Sequence, residues 1–165
     1  MKLKFKYAGK LQITEPEIDV TDPSYDADVW CRLTREITPG QYNCYAGTGK
    51  DGWGLRVYAL VLLSADIDFN DQQIEIKRDG EIGVDAGLAG FFQNKPDYAD
   101  EDWNNICNFI FESGNVSNRK QFWLVDENSP LKCKCFFSES GIGDGVYELS
   151  RMEKEGRLVG YKLNF

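Results

Sequence analysis

Short runs of alternating, β-branched and aromatic residues recur along the whole chain, and this pattern constrains the fold more than any other feature. Clusters rich in glycine, proline and aspartate separate the runs, for example at residues 38–40, 78–80 and 154–156. The runs lie at residues 3–7, 11–14, 28–34, 41–46, 54–63, 73–77, 121–125, 132–138, 145–150 and 157–164. Such spacing is typical of antiparallel proteins and predicts a mainly β fold, either a β-sandwich or a bent barrel.

One segment follows a helical period instead. Between residues 97 and 112, apolar side chains recur at helical spacing, at Trp103, Ile106, Cys107 and Ile110. Acidic residues at 100–102 suit the first turn of a helix, where the helix dipole favours negative charge. We therefore expect one amphipathic α-helix packed on the sheet. Since no repeat or linker divides the chain, residues 1–165 are predicted to form a single β-rich domain.

The 165 residues include no histidine, which excludes Ser-His-Asp and Cys-His catalytic groups and histidine-ligated metals. A calcium loop beginning at Asp66 also fails, because its sixth position is Asp71 rather than glycine and its twelfth is Lys77 rather than glutamate. We expect no metal, no cofactor and no enzymatic activity.

The net charge of −8 argues against binding to nucleic acid or to an anionic membrane surface. The longest apolar run, residues 58–63, is too short to span a bilayer, and lysines interrupt the segment after Met1 where a signal peptide would need an apolar core. The five cysteines include no C-x-x-C pair, and Cys133 and Cys135 are predicted to be small core residues on one strand face. These features predict a cytoplasmic protein without disulfides.

Residues 47–52 match the pattern G-x-G-x-x-G, which occurs in dinucleotide-binding loops. Such a loop must open a helix, but the following residues, 53–61, are predicted to form a strand. A Walker loop is excluded as well, because Asp51 stands where serine or threonine must follow the lysine. We interpret the segment as a glycine-rich hairpin turn.

Five residues in glycine-rich segments are the candidate ligand-binding residues: Trp53, Arg56, Asp85, Gly143 and Asp144. Trp53 and Arg56 offer an indole beside a guanidinium, which can stack on a ligand or pair with a carboxylate. The two aspartates are either turn caps or a converging pair of carboxylates. An internal ion pair of Arg56 with Asp85 or Asp144 would explain all three residues without a ligand.

Several short blocks occur in a fixed order: residues 22–25 (D-P-S-Y), 30–31 (W-C), 52–57 (G-W-G-L-R-V), 84–87 (V-D-A-G) and 140–145 (S-G-I-G-D-G). The succession resembles an uncharacterised family of small bacterial and phage proteins with D-P-C-Y, W-C, G-W-G-x-R-V, V-D-[AS]-G and S-G-x-G-D-G blocks. Ser24 stands where that family often has cysteine, and Leu55 where it often has arginine. The resemblance implies a bacterial or phage origin and supplies no reaction.

Three functions remain open from the sequence. The first is a non-enzymatic binding or interaction protein, for which four tryptophans, eight tyrosines and ten phenylalanines provide material for a protein interface or a homo-oligomer contact. The second is a protein that sequesters a small ligand with Trp53, Arg56 and the loop glycines, in a positively charged pocket of about 300 Å3 or more. The third is a hydrolase using Asp85 with Asp144 or Glu139, which requires carboxyl groups within roughly 5–10 Å of each other.

Overall fold

The computed structural model describes residues 1–111 and 121–165. In these residues eleven strands and one helix follow one another along the chain. In order they are β1 (Lys4–Ile13), β2 (Glu17–Thr21), β3 (Leu33–Glu36), β4 (Gly40–Asp51), β5 (Gly54–Ser64), β6 (Glu75–Val84), β7 (Leu88–Gln93), α1 (Asp100–Phe111), β8 (Phe122–Val125), β9 (Lys134–Glu139), β10 (Gly145–Lys154) and β11 (Arg157–Asn164).

The strands form two antiparallel sheets that face each other as a β-sandwich. One sheet has six strands in the order β1-β4-β5-β11-β10-β6, and the other has five in the order β3-β2-β7-β9-β8. Each sheet ends in unpaired edge strands, so the structure is an open sandwich and not a closed barrel. The predicted mainly β fold is confirmed.

The core between the sheets is built from side chains that alternate along the strands. Val20 and Phe91 of the five-stranded sheet belong to the same buried cluster as Leu60, Leu62 and Leu163 of the six-stranded sheet. Burial of such side chains is the main favourable term in folding, at roughly 1.5–3 kcal/mol for each large apolar residue. This layer therefore holds the two sheets together.

The helix α1 covers the outer face of the five-stranded sheet. Its buried residues Ile106 and Ile110 pack in one cluster with Phe92, Trp123 and Phe137 of the strands beneath. The predicted helix is confirmed, with its start at Asp100 rather than residue 97, while residue 112 lies outside the described residues. Cys133 and Cys135 are buried in the same cluster, and all five cysteines are free thiols.

A second covering segment, residues 65–74, lies on the outer face of the six-stranded sheet. Its Ile67 is buried with Val61, Leu63 and Val159, and Phe69 packs against the same cluster. Strand β5 is thus covered on both faces, which explains why residues 57–63 are apolar without alternation. Within the described ranges no helix is both long enough and apolar enough to cross a bilayer.

Two sequence interpretations are corrected by the strand boundaries. The segment 28–34 is not one strand, because Asp28 has a φ of 69° and the N–H of Arg32 donates to the carbonyl of Val29, which forms a turn before β3 begins at Leu33. The glycine-rich segment 47–52 is not mainly a turn, because β4 runs on to Asp51. Gly47 lies in that strand, where a Cβ would come within 2.8 Å of the Phe5 ring.

Strand β7 was not foreseen from the sequence, since its first residues are small and follow a glycine-rich segment. Gly90 lies within this strand, and a Cβ there would lie 2.2 Å from the carbonyl oxygen of Phe136 in β9. The glycine therefore permits a close approach of two backbones in the sheet. It does not mark a loop.

One end of the sandwich is fastened by the buried carboxylate of Asp22, which directly follows β2. Its Oδ1 accepts hydrogen bonds from the N–H and the hydroxyl of Ser24, at 2.8 and 2.7 Å. Its Oδ2 accepts from the N–H groups of Asp85 and Ala86, each at 2.7 Å. The carboxylate thus ties the end of the five-stranded sheet to the turn between β6 and β7.

We predict that Asp22→Asn lowers the free energy of unfolding by about 2–3 kcal/mol, because its amide NH2 would face backbone donors in place of an accepting oxygen. Urea denaturation of the purified variant measures the change. The matched variant Asp26→Asn alters an exposed aspartate in the same connection and should shift stability by no more than about 0.5 kcal/mol. Equal stability of the two variants would contradict the role given to Asp22.

Candidate functional site

Three loops meet at the end of the sandwich that Asp22 fastens. They are the β4–β5 turn (residues 52–53), the β6–β7 turn (residues 85–87) and the β9–β10 loop (residues 140–144). The N–H of Ser140 donates to the carbonyl of Gly87 at 3.0 Å, and the N–H of Gly141 donates to the carbonyl of Val57 at 2.9 Å. These bonds join the second and third loops to each other and to β5.

A cavity of about 340 Å3 lies at the β6–β7 turn and the β9–β10 loop, and we call it the loop-end cavity. It is lined by Arg56, Ala86, Gly87, Leu88, Phe111, Glu139, Ser140, Gly141 and Gly143. Gly87 and Gly143 have φ values of 67° and 113°, a region that side-chain-bearing residues rarely adopt. The glycines therefore allow the backbone itself to form much of the wall.

Arg56 is the basic residue of this lining. Its Nη1 donates to the carbonyl of Gly141 at 3.0 Å, which directs the guanidinium toward the β9–β10 loop. Its Nε is buried and has no hydrogen-bond partner among the described residues. Among the described residues, the carboxylate that faces the guanidinium is that of Asp51, with Oδ2 at 3.6 Å from Nε. That distance is too long for a hydrogen bond, so this donor remains unsatisfied.

Asp51 is itself held by neighbours on the same hairpin. Its Oδ1 accepts from the backbone N–H of Trp53 at 2.7 Å, and its Oδ2 accepts from the hydroxyl of Tyr58. The hydrogen bond from Tyr58 is the largest cause that lowers the pKa of the Asp51 carboxyl, followed by the bond from Trp53. The partner of Arg56 is thus Asp51, and the predicted ion pair of Arg56 with Asp85 or Asp144 is wrong.

The structure gathers four of the five sequence-predicted residues around the loop-end cavity. Arg56 and Gly143 belong to its lining, and Asp85 precedes the lining residue Ala86. Asp144 places Oδ1 4.0 Å from the position that a Cβ on Gly87 would occupy. The side chains of Asp85 and Asp144 are exposed to solvent, and the side chain that caps the β6–β7 turn is that of Asp22.

Exposed apolar side chains also occur at this end of the sandwich, in loops, in β5 and at the end of α1. Four residues form this set, which we call the apolar rim: Trp53 (85% exposed), Ile142 (75%), Phe111 (51%) and Leu55 (50%). Trp53 lies at the tip of the β4–β5 hairpin and is not one of the lining residues. Leu55 is held in place by Gln121, whose side-chain amide donates to the Leu55 carbonyl at 2.6 Å.

The β9–β10 loop is braced by residues that the sequence did not single out. The hydroxyl of Tyr147 donates to the carbonyl of Gly143 at 2.6 Å, and the hydroxyl of Ser140 donates to the same carbonyl at 2.8 Å. Tyr147 belongs to the core between the sheets, so the loop is anchored to the interior. The available sequence signal is the aromatic residue Tyr147, two positions after the S-G-x-G-D-G block.

Charge in the loop-end cavity is mixed. Arg56 contributes one positive group, while Glu139 lies in the same lining and Asp51 lies behind the guanidinium. Among the described lining residues, positive charge is therefore limited to the guanidinium of Arg56. Among the described residues, no three cysteine, aspartate or glutamate side chains are grouped so as to hold a metal ion.

Comparisons of the chain with family models, with curated proteins and with solved structures give no match. The resemblance to the bacterial and phage family stays a prediction.

The hydrogen bonds to Asp51 predict a pH dependence. Because its pKa is lowered below 3.8 in the folded protein, Asp51 stabilises the fold above that value and loses this effect as pH falls through the folded-state pKa. The stability difference between the wild type and Asp51→Asn should therefore shrink on acidification from about pH 5 to about pH 2.

Urea denaturation across that range measures the difference. Glu127→Gln, which removes an exposed carboxylate in the β8–β9 connection, controls for the loss of one charge. A stability difference between wild type and Asp51→Asn that stays constant with pH would contradict the prediction.

Proposed function

We propose that this chain is a non-enzymatic binding protein whose loop end takes a partner protein. The observation that carries the proposal is the guanidinium of Arg56, whose Nε has no hydrogen-bond partner among the described residues, at an end of the sandwich that also carries exposed apolar side chains. Arginine and tryptophan are enriched at the residues that dominate binding energy in protein interfaces. The apolar rim and Arg56 supply both residue types at one end of the sandwich.

The guanidinium is suited to a carboxylate of the partner. Its orientation is fixed by the Gly141 carbonyl, so a bound carboxylate would not have to restrict a freely moving side chain. Arginine presents several N–H donors in a planar fork that matches the two oxygens of a carboxylate. We propose that an acidic side chain or a chain terminus of the partner binds Arg56 while its apolar neighbours contact the rim.

The hydrogen bonds that hold the loops in place support a binding function rather than a catalytic one. The β9–β10 loop is braced by Tyr147 and Ser140. The alternative hydrolase would use Asp85 and Asp144, yet both side chains are exposed, whereas an acid catalyst needs a carboxyl group withdrawn from water. The absence of histidine from the sequence points the same way.

A small anionic ligand is the second candidate, and the size of the loop-end cavity favours it. Small-molecule sites usually measure about 300–1,000 Å3, and this cavity reaches about 340 Å3. In this alternative Arg56 would bind the anionic group and the backbone at Gly87 and Gly143 would approach the ligand closely. Both candidates are non-enzymatic and both place Arg56 at the centre.

The proposed setting is the cytoplasm of a bacterium or of a phage-infected cell. Five free cysteines are typical of proteins kept in a reducing compartment. The acidic composition supports a partner other than nucleic acid or an anionic membrane. The exposed aromatic residues are also compatible with a homo-oligomer that uses the same loop end.

We predict that Trp53→Ala and Arg56→Lys each weaken capture of the partner at least tenfold, a loss of about 1.4 kcal/mol or more. Immobilised wild type and variants are incubated with bacterial extract, and bound proteins are quantified by mass spectrometry. Arg56→Lys keeps the charge but removes the planar fork. Trp30→Ala is the matched control, because Trp30 is 89% exposed but belongs to the β2–β3 connection.

The result separates the candidates. A protein whose recovery falls with both test variants and not with Trp30→Ala supports the partner proposal. A small mass bound in native mass spectrometry and lost only in Arg56→Lys favours the small anionic ligand. If neither the recovered protein nor the bound small mass changes with either substitution, the loop end is ruled out as the binding site.

A further inference from the structure

A second surface site lies on the outer face of the six-stranded sheet, where the β5–β6 connection folds over strands β1 and β4. It is an open groove of about 650 Å3, larger than the loop-end cavity. Eight residues line it, and we call it the aromatic groove: Phe5, Tyr7, Asn43, Tyr45, Ile67, Asp68, Phe69 and Asn70. The site shares no lining residue with the loop-end cavity.

Four aromatic rings form a connected and inclined wall in this groove. The ring centroids of Tyr45 and Phe69 are 4.4 Å apart, those of Phe5 and Phe69 5.1 Å, and those of Tyr7 and Tyr45 5.6 Å. The ring planes are inclined by 42° to 55°, so the rings do not stack flat on one another. Tyr7 is 55% exposed, which leaves an aromatic face open to solvent.

Two polar side chains of the groove, those of Asn43 and Asp68, carry oxygens that can accept a hydrogen bond from a ligand. Asn43 carries a buried Oδ1 that has no hydrogen-bond partner among the described residues. Burial raises the pKa of the Tyr45 phenol, and a hydrogen bond from the Asn43 side chain partly offsets that rise. Asp68 adds a carboxylate at the rim, with Oδ1 accepting the N–H of Asn70 at 2.7 Å.

These features share one electrostatic sign. The faces of aromatic rings are electron-rich and attract cations, the Asp68 carboxylate is negative, and the Asn43 oxygen needs an N–H or O–H donor. None of the eight lining residues is basic. The whole chain carries a net charge of −8, which further favours a positively charged ligand.

We propose that the aromatic groove binds a small organic amine in its ammonium form, as the ammonium end of an alkyl diamine or polyamine. The ammonium group lies against the aromatic faces near Asp68 and donates one N–H to Oδ1 of Asn43. A quaternary ammonium ion is a poorer ligand, because it has no N–H for that oxygen. The alkyl chain follows the apolar surface of Phe5 and Phe69.

The probe is cadaverine, and its matched neutral analogue is pentanediol, which has the same chain with hydroxyl groups in place of ammonium groups. Isothermal titration calorimetry with the full chain measures both, and tetramethylammonium tests the need for an N–H donor. We expect saturable binding of cadaverine, at least tenfold weaker binding of tetramethylammonium, and no binding of pentanediol. Equal binding of cadaverine and pentanediol would overturn the proposal.

Four variants locate the site. Asp68→Asn should weaken cadaverine binding about fivefold, and Tyr7→Ala should weaken it about threefold by removing an exposed ring. Asn43→Asp should strengthen binding severalfold, because a carboxylate replaces the unpartnered amide oxygen. Asp66→Asn is the matched control, since Asp66 is an exposed aspartate of the same connection outside the groove, and it should leave binding unchanged.

Each result decides for or against the groove. Loss with Asp68→Asn and gain with Asn43→Asp, with Asp66→Asn unchanged, supports the amine site. The same affinity in Asp68→Asn, Asp66→Asn and Asn43→Asp means that cadaverine binds the acidic surface without a site, and it overturns the proposal. No detectable heat with wild type at millimolar cadaverine overturns it as well.

Discussion

The buried carboxylate of Asp22 is the point on which the loop end depends. It joins the end of β2 to the β6–β7 turn through the N–H groups of Asp85 and Ala86. From that turn the carbonyl of Gly87 accepts the N–H of Ser140, which begins the β9–β10 loop. A continuous series of hydrogen bonds therefore crosses from one sheet to the other. A buried charge is tolerated here because each of its oxygens accepts two donors.

The series continues to the guanidinium of Arg56. The residue after Ser140 is Gly141, whose N–H donates to Val57 and whose carbonyl accepts Nη1 of Arg56. The guanidinium in turn faces Asp51 of the hairpin. Arg56 is thus positioned by a backbone carbonyl of the β9–β10 loop and by the carboxylate of Asp51 in β4, not by packing alone. A side chain that is already ordered loses less conformational entropy when a ligand binds. A fixed arginine is therefore a better binding group than a mobile one.

The sequence was informative wherever structure follows a local period. Alternation predicts a mainly β fold, either a sandwich or a bent barrel, and the helical spacing of Ile106 and Ile110 predicts the helix that covers the five-stranded sheet. It was uninformative where partners lie far apart in the chain. Asp22 and Asp85 are separated by 63 residues, so nothing near Asp22 indicates that its carboxylate binds a distant turn. Gly90 looks like a loop residue until Phe136 is seen against its backbone.

Only part of the candidate site was predictable from the sequence, because local patterns are visible in a sequence and contacts between distant residues are not. Glycines and aspartates in loops drew attention to Gly143 and Asp144, and antiparallel strands bring such loops to one end. The hypothesis that pairs Arg56 with Asp85 or Asp144 is wrong, because the carboxylate beside the guanidinium is that of Asp51, five residues away on the same hairpin. A hairpin places its two ends side by side, so the nearer acid was the better choice.

The two proposed sites face opposite electrostatic conditions on one acidic protein. For a cation that approaches the aromatic groove, the overall charge of −8 is attractive, and so are the local contacts in the groove. Long-range attraction and local contacts therefore act together there. At the loop end, an anionic ligand must approach Arg56 against that charge. Screening by salt reduces the long-range repulsion, while the contact with a partly buried guanidinium is screened much less. The binding proposed for the loop end would therefore depend on short-range contacts, including those of exposed apolar side chains such as Trp53 and Ile142.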